Sequence, residues 1–363
     1  MQFTRNLFSP LIKIIGRKID DYAQFRPSAL SMQSLVDFGK LRDERSSFEF
    51  LKKELLVRLA NIMKEVELLP SQLMETPSTK LVYQWYQESF QELLQYENAN
   101  ADKSTLRDFS RQLSRVLKRH NTVVETMAEG LMEMKATHGI DPVTQNNIQY
   151  FLNRFYLSRI SVRMLIYQHV IIFSDEAHPF YTSSRHIGCI DPNCNVVSII
   201  EALDAYENAK FLCDRYYVTS PGIKIETINV LEPSQPISIV YVPSHLYHIM
   251  IELLKISDQG GGVPRHIVGK LFNYMYTTAS LPSMENAEYD APMAGLGYGL
   301  PLSRLYARYF LGDLFLFSME GYGTDACLYL KASAVDASEM LPWFSFRSKK
   351  MYESNEKGPD WSV

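Results

Sequence analysis

The chain has 363 residues, 46% of them hydrophobic, which is enough material for two ordinary domains. Its formal net charge is −4, and a chain this close to neutral has no general attraction for nucleic acid. No apolar run reaches the length of a membrane span. The four cysteines, Cys189, Cys194, Cys213 and Cys327, form no CxxC pair, which favours unpaired thiols in a reducing compartment.

The first nineteen residues form a basic, amphipathic start. They contain Arg5, Lys13, Arg17 and Lys18 but no acidic residue, and their apolar residues recur at helical spacing. Such a start is typical of a mitochondrial targeting segment, so residues 1–19 are predicted to be one, with an ordinary terminal helix as the alternative.

Residues 20–180 have a helical pattern almost throughout, because apolar residues recur every three or four positions. One apolar stripe continues from Leu106 to Met134 and predicts a single long helix. Asp141 and Pro142 are the residue types that begin another helix. Several long helices with short connections favour an antiparallel bundle.

Three polar residues fall inside this apolar pattern. His120 lies on the long stripe, and Arg159 and Arg163 stand one turn apart among apolar neighbours. The residues alone favour a structural role, in which acidic side chains of the bundle satisfy the cations. A small anion pocket is the alternative, since an unpaired buried cation is costly.

The composition changes after a linker at 174–195. A helix is predicted at about 196–217, and alternating apolar residues predict strands at Ile223–Val230, Ile237–Val242, Leu314–Ser318 and Cys327–Lys331. Helices and strands mixed in this way indicate an α/β sandwich.

Two glycine-rich turns lie between Asp258 and Leu300. The first is Gly260–Gly262 and the second is Gly295–Leu300. Glycine permits positive φ and close backbone approach, and N–H groups before a helix can bind phosphate oxygens. The Asp258 carboxylate can accept a hydrogen bond from a base amino group. Two turns and an acid at this separation favour nucleotide binding over tight surface turns.

A helix predicted to start near His245 carries a candidate catalytic pair. His248 and Glu252 are four residues apart and therefore share one face. A carboxylate beside an imidazole can accept a proton from an attacking hydroxyl. A solvated face is the alternative for such a pair, but the position just before a glycine turn favours catalysis.

The wording of these segments resembles a known family. Asp258-Gln-Gly-Gly-Gly262, Phe272-Asn-Tyr-Met-Tyr276 and Gly295-Leu-Gly-Tyr-Gly-Leu300 resemble the first glycine box, the F box and the second glycine box of the GHKL superfamily, which includes DNA gyrase and histidine kinases. More narrowly, Gly297–Tyr309 and Gly321–Ala326 resemble the mitochondrial pyruvate dehydrogenase kinases.

The resemblance implies an α + α/β fold with two domains and a tail. The first expected domain is an N-terminal antiparallel four-helix bundle at 20–180, which has a regulatory role and docks on lipoyl domains. The second is a GHKL (Bergerat) α/β sandwich at 181–340, which binds ATP. The expected tail at 341–363 carries Asp360-Trp361.

The resemblance also assigns roles to single residues. Glu252 would act as the general base toward a serine hydroxyl, and His248 would orient that carboxylate. Thr277 and Thr278 would begin a lid, and Thr324 would lie at the adenine site. The implied ATP-binding residues are Glu252, Asp258, Gly260, Gly262, Thr277, Thr278, Gly295, Leu296, Gly297, Tyr298, Gly299, Leu300 and Thr324.

One departure from the family pattern concerns Mg²⁺. The family continues the catalytic helix with Asn-Ala-Met-Arg, a loop and a strand, whereas here Lys255 is followed at once by Ile256 and the first glycine box. The family's Asn holds Mg²⁺, which neutralises charge in phosphoryl transfer. No metal ligand is therefore retained, and this form is predicted to bind Mg-ATP poorly and to transfer phosphate weakly or not at all.

The resemblance further implies regulation and partners. Five bundle residues match a pocket for pyruvate-like carboxylates: Tyr86, Ser89, His120, Arg159 and Arg163. Asp360 and Trp361 match a tail motif that locks a homodimer and supports lipoyl-domain docking. The substrate would be the E1α subunit of pyruvate dehydrogenase, the other partner the lipoyl domain of E2, and the compartment the mitochondrial matrix.

Two alternatives remain open at this point. One is a kinase of the branched-chain 2-oxoacid dehydrogenase, and the other is a non-catalytic, dimerising variant that binds lipoyl domains.

Overall fold

A computed structural model of the chain describes residues 10–139, 141–174, 185–201, 205–217, 220, 222–255, 261–277 and 296–353. The residues group into two compact units. The first unit contains Met1–Ala29, Asp43–Ser174 and Leu341–Val363, and the second contains Leu30–Arg42 and Asp175–Met340. The domain boundaries expected from the sequence stay a prediction. Within the described residues, no helix combines the length and the apolarity needed to cross a membrane.

The elements follow one another as α1 (Pro10–Ala23), α2 (Met32–Leu41), α3 (Glu44–Val66), α4 (Ser71–Met74), α5 (Pro77–Leu94), α6 (Lys103–Arg119), α7 (Val123–His138), α8 (Pro142–Phe173), β1 (Asp191–Cys194), α9 (Val196–Glu201), α10 (Ala205–Tyr217), β2 (Ile239–Tyr241), α11 (Pro243–Leu254), α12 (Arg265–Val268), α13 (Gly299–Tyr309), β3 (Asp313–Met319), β4 (Gly323–Tyr329) and α14 (Phe346–Glu353).

The first unit is helical, and α3 lies at its centre. This helix packs against α1, α5 and α8, and it buries residues on nearly every face. Its buried cation Arg58 bonds to the Glu54 carboxylate at 2.8 Å, so the charge is paired inside the core. The helix start predicted at Asp141 and Pro142 is confirmed, because the Asp141 side chain accepts from the N–H groups of Val143 and Thr144.

The single long helix expected from Leu106 to Met134 is wrong. The chain instead forms α6 and α7, with a break at 120–122. The carbonyl oxygen of His120 accepts from Arg159 at 3.2 Å and from Arg163 at 3.5 Å, and that of Asn121 accepts from Arg159 at 3.3 Å. These two arginines on α8 donate to carbonyl oxygens at the end of α6, where no further helical turn supplies N–H donors.

The second unit mixes helices with two antiparallel pairs of strands. β1 pairs with β2, and β3 pairs with β4 in a register that runs from Asp313 opposite Tyr329 to Met319 opposite Gly323. α11 packs against α10 and α13, and α13 also packs against β3. A helical unit and a helix-and-strand unit agree with the expected α + α/β class.

The strand expected at Ile223–Val230 is wrong, because these residues form no strand. Alternating apolar residues make a strand possible, but a strand also needs a neighbour that supplies hydrogen bonds. Ile228 and Val230 are instead largely exposed. The helix expected at 196–217 appears as α9 and α10, and residues 202–204 lie outside the described residues.

Candidate functional site

Two helices of the second unit carry the candidate catalytic residues. Pro243 occupies the first turn of α11, where its missing N–H costs nothing, and Leu246 and Ile249 bury one face of the helix. α13 begins at Gly299 and buries Leu302 and Leu305. Since these apolar faces pack together, the seam between α11 and α13 holds the polar residues beside it in fixed positions.

The Glu252 carboxylate lies at the start of α13. A Cβ atom added to Gly299 would stand 2.0 Å from Glu252 Oε2, so any larger residue would require the carboxylate to move. The N-terminus of a helix favours negative charge, which suits this position. Glu252 Oε1 also binds the ammonium of Lys255 at 2.7 Å. Sequence reasoning missed Lys255, although its i,i+3 spacing from Glu252 was a usable signal.

His248 packs against an aromatic ring of α13. The centroids of the His248 and Tyr306 rings are 5.0 Å apart. Loss of contact with water lowers the pKa of His248, the nearby Glu252 raises it, and Lys255 lowers it. Within the described residues, Glu252 bonds to Lys255 rather than to His248. The orienting role expected for His248 stays a prediction.

The second glycine turn packs against the end of the F segment, residues 272–277. Gly297 has φ of 72°, and an added Cβ would lie 2.3 Å from the carbonyl oxygen of Tyr276. Tyr298 packs on Tyr274 with ring centroids 5.3 Å apart. The structure thus brings 296–300 next to the segment that ends at Thr277.

The end of the first glycine turn packs against the β3–β4 hairpin. Gly262 has φ of 65°, and an added Cβ would lie 2.2 Å from the carbonyl oxygen of Met319. The N–H of Val263 donates to Ser318 Oγ at 2.5 Å, and this hydroxyl is 2.8 Å from that of Thr324. Gly262 and Thr324 are therefore neighbours, and an adenine site there stays a prediction.

Arg304 on α13 ties the F segment to the sheet. Its guanidinium lies 4.7 Å from the Phe272 ring and 5.4 Å from the Phe315 ring. Arg304 and Arg308 both donate to the Asp313 carboxylate, at 2.8 and 2.9 Å. Sequence reasoning missed this cluster, because no spacing rule links Phe272 to Arg304 or joins α13 to the start of β3.

Six expected site residues lie outside the described residues: Asp258, Gly260, Thr278, Gly295, Asp360 and Trp361. Two open cavities of about 710 and 670 Å³ occur in the second unit, one lined by parts of 195–200 and 223–237 and the other by parts of 265–269 and 316–320. Neither lining includes Glu252 or Gly297. A cleft shared by Asp258 and Gly297 stays a prediction.

The five predicted pocket residues of the first unit come together beside the α6–α7 break. Ser89 Oγ lies 2.9 Å from His120 Nε2, and the Tyr86 and His120 rings are 4.5 Å apart. Arg159 and Arg163 reach the same place through the carbonyl oxygen of His120. Arg119, which sequence reasoning missed because no motif marks it, donates to Ser89 at 2.8 Å.

Burial controls protonation in this cluster. Loss of water lowers the pKa of His120 to about 3, a shift that the carbonyl of Trp85 opposes and Arg159 reinforces. Burial raises the pKa of Tyr86 to about 12, against the opposing charges of Arg159 and Arg163. Tyr86 Oη and Arg159 Nε are buried and have no hydrogen-bond partner within the described residues.

Comparison with known proteins finds a kinase family model that matches part of the chain and related kinases that match nearly all of it. Residues 29–191 match the family model described as "Mitochondrial branched-chain alpha-ketoacid dehydrogenase kinase". The chain is 50% identical over 395 residues to the mitochondrial [pyruvate dehydrogenase (acetyl-transferring)] kinase of Ascaris suum, a match that covers 100% of this chain and 97% of the relative. It is 49% identical to a probable kinase of the same name from Caenorhabditis elegans, with the same coverage. The human isozyme 1 is 47% identical over 381 residues, covering 95% of this chain and 87% of the relative. The chain therefore belongs to the family of mitochondrial pyruvate dehydrogenase kinases.

Proposed function

We propose that the chain is a mitochondrial protein-serine kinase that uses ATP to phosphorylate the E1α subunit of the pyruvate dehydrogenase complex. The single observation that carries this proposal is the Glu252 carboxylate at the start of α13, directly after the second glycine turn. Phosphorylation would inactivate the dehydrogenase and restrict pyruvate oxidation, since a phosphoserine adds negative charge where it forms.

The residues of this site divide the work as follows. ATP would supply the γ-phosphoryl group, and ADP would leave with the bridging oxygen as the serine oxygen bonds to the γ-phosphorus. Glu252 accepts the proton of the attacking serine hydroxyl. The backbone N–H groups at Gly297–Gly299 lie at the positive end of α13, where phosphate oxygens bind well. The hydroxyl of Thr324, which lies 2.8 Å from Ser318 Oγ, would contact the adenine.

The described residues do not fit a magnesium ion at the end of α11. Glu252, whose carboxylate lies there among the described residues, already binds the Lys255 ammonium, which would repel a second cation. The described part of the chain contains no group of three His, Cys, Asp or Glu side chains that could hold a metal. No step is therefore assigned to Mg²⁺, and we expect this form to transfer phosphate weakly.

The alignment lengths support a missing segment. The match to the Ascaris suum kinase extends over 395 positions, while this chain has 363 residues, so at least 32 positions have no residue here. The family pattern would place this gap after Lys255.

A phosphate-transfer assay tests the function and the impairment separately. The chain, its Glu252→Gln variant and a version with the Ascaris suum segment inserted after Lys255 are incubated with radiolabelled ATP and E1α. We expect the turnover of this chain to be less than a tenth of the turnover of the insertion form. We expect the Glu252→Gln substitution to abolish the phosphate transfer of this chain. Turnover within tenfold of the insertion form would contradict the impairment. No transfer by the insertion form would contradict the kinase function.

In the first unit, the finer proposal is a four-helix bundle with a carboxylate pocket. Tyr86 Oη and Arg159 Nε are buried without partners, and a buried polar atom of this kind is costly unless a ligand satisfies it. Calorimetric titration with pyruvate, compared between the wild type and Arg159→Met, tests this pocket. Equal affinities would refute it.

The remaining proposals follow the family. They are a GHKL α/β sandwich, a matrix location, a homodimer and docking on the lipoyl domain of E2. A pull-down with isolated lipoyl domain tests docking. Retained docking with no ATP affinity would favour a non-catalytic variant, and preference for the branched-chain E1 in the transfer assay would favour the other substrate.

A further inference from the structure

The α11–α13 seam is antiparallel, and one tyrosine contacts both histidines of α11. Glu252 meets Gly299 at one end of the seam, and His245 meets Tyr306 at the other, with ring centroids 4.6 Å apart. His248, one turn from His245, lies 5.0 Å from the same ring. The ring of Tyr306 therefore forms a common surface for both imidazoles.

One nitrogen of each imidazole lacks a hydrogen bond within the described residues. His245 Nδ1 and His248 Nε2 are buried and have no hydrogen-bond partner within the described residues, and the same is true of Ser303 Oγ across the seam. Because that nitrogen forms no hydrogen bond that would hold the ring, packing has to contribute to the orientation of the ring. The Tyr306 backbone is itself held, because its carbonyl accepts from the Tyr241 hydroxyl at 3.2 Å.

We propose that Tyr306 is a positioning residue of the candidate phosphoryl-transfer site, whose aromatic ring fixes the orientation of His248 and excludes water from it. This inference rests on the proposed function. Among the described residues, the Glu252 carboxylate bonds to Lys255, and Tyr306 would not itself take part in the reaction. It acts through His248, which shares its helix face with Glu252.

The ring, rather than the hydroxyl, carries this role. The centroid distances of 4.6 and 5.0 Å with tilted planes are those of aromatic packing. Phenylalanine should therefore replace tyrosine without loss. Methionine fills similar volume but is flexible, so it should admit water and free the imidazole.

Charged and titratable neighbours also modify the pKa of His248. These are His245 and Glu252 on α11 and Lys255 directly after it. Cys213 on α10, which packs on α11, lies at the carbonyl of Lys255. Desolvation is the largest influence on the His248 pKa and lowers it. Removing the ring should thus raise the pKa toward that of a free imidazole.

Nitrogen NMR of histidine-labelled chain tests the proposal without any need for phosphate transfer. His248 is assigned with His248→Gln, and Tyr322→Phe, at an exposed hairpin turn, is the matched control. We expect Tyr306→Met to raise the His248 pKa toward that of a free imidazole. We expect Tyr306→Phe and Tyr322→Phe to leave it unchanged. In an insertion form that transfers phosphate, Tyr306→Met should lower kcat more than it changes KM.

Three results would overturn the proposal. They are an unchanged His248 titration in folded Tyr306→Met, an equal shift in Tyr306→Phe, or no nuclear Overhauser contact between the Tyr306 and His248 rings in the wild type. The last needs no variant. If transfer is absent but the titrations behave as expected, the proposed function fails while the positioning geometry stands.

Discussion

Replacing Gly299 by alanine tests the contact that defines the candidate active site. The new Cβ would lie 2.0 Å from Glu252 Oε2 and 2.7 Å from Cδ, whereas ordinary contacts begin at 3.4 Å. The carboxylate must therefore move by about 1.4 Å. This movement also separates Glu252 from Lys255, which it binds at 2.7 Å.

Three terms set the change in the free energy of unfolding. Loss of the partly exposed ion pair costs up to about 1 kcal/mol. An off-rotamer Glu252 side chain costs about 0.5–1.5 kcal/mol. Alanine in the first turn of a helix returns about 0.5–1 kcal/mol relative to glycine. The net change is small, so the single variant alone decides little.

A double-mutant cycle isolates the contact. In a Glu252→Ala background nothing clashes with the new methyl group, and Gly299→Ala should stabilise the chain by about 0.5–1 kcal/mol. The coupling between the two sites should be roughly 1.5 kcal/mol. Urea unfolding of the four proteins, followed by circular dichroism, measures it. Gly269→Ala, where an added Cβ meets nothing within 4 Å, is the matched control and should show no coupling with Glu252→Ala.

Additivity within about 0.3 kcal/mol would refute the geometry. Glu252 would then not lie at the start of α13 in solution, and the main support for the catalytic proposal would be lost.

Other substitutions test further local contacts, each with its own expected change in stability. Gly297→Ala should cost about 2–4 kcal/mol, since φ is positive there and the methyl group meets the Tyr276 backbone, while Gly222→Ala, in open space, should cost little in the same urea titration. Burial lowers the pKa of His169 to about 4, so the unfolded state binds the proton first as pH falls. His169 should therefore lower the free energy of unfolding by about 1.4 kcal/mol for each pH unit below pH 6.5. Unfolding free energies measured at pH 7.5 and 5.5 should show this loss, and the loss should be smaller in His169→Gln. Asp313→Asn should lower the thermal midpoint, because Arg304 and Arg308 both lose a charged acceptor.

Local sequence signals predicted helices best where side chains close the helix themselves. The Asp141-Pro142 start was predicted correctly because the cap uses neighbouring residues. The break between α6 and α7 was missed, because the apolar stripe through His120 reports burial and not continuity of backbone hydrogen bonds. The groups that satisfy the break, on Arg159 and Arg163, lie about forty residues further along the chain.

The same limit applies to the strands and the site. Alternation at Ile223–Val230 reports what a strand would look like, whereas pairing depends on a neighbour that the residues themselves do not specify. The motif alone predicted a functional glycine at position 299. The physical reason for glycine there is the Glu252 side chain that lies against it, and this contact depends on how α11 and α13 pack. The Lys255 partner of Glu252 follows from helical spacing and was available in the sequence.

The expected gap after Lys255 would remove the family's metal ligand without removing the residues that pack the glycine turns. Gly262 packs on the β3–β4 hairpin, and Gly297 packs on Tyr276, through backbone contacts that need no residue between Lys255 and the first glycine turn. The family's magnesium ligand, by contrast, is a side chain of the segment that the family pattern places there. We therefore expect a chain without this segment to keep the packing of Gly262 and Gly297 while binding Mg²⁺, which neutralises charge in phosphoryl transfer, poorly. Nucleotide affinity and phosphate transfer should therefore fall to different extents in this protein, and the two measurements must be made separately.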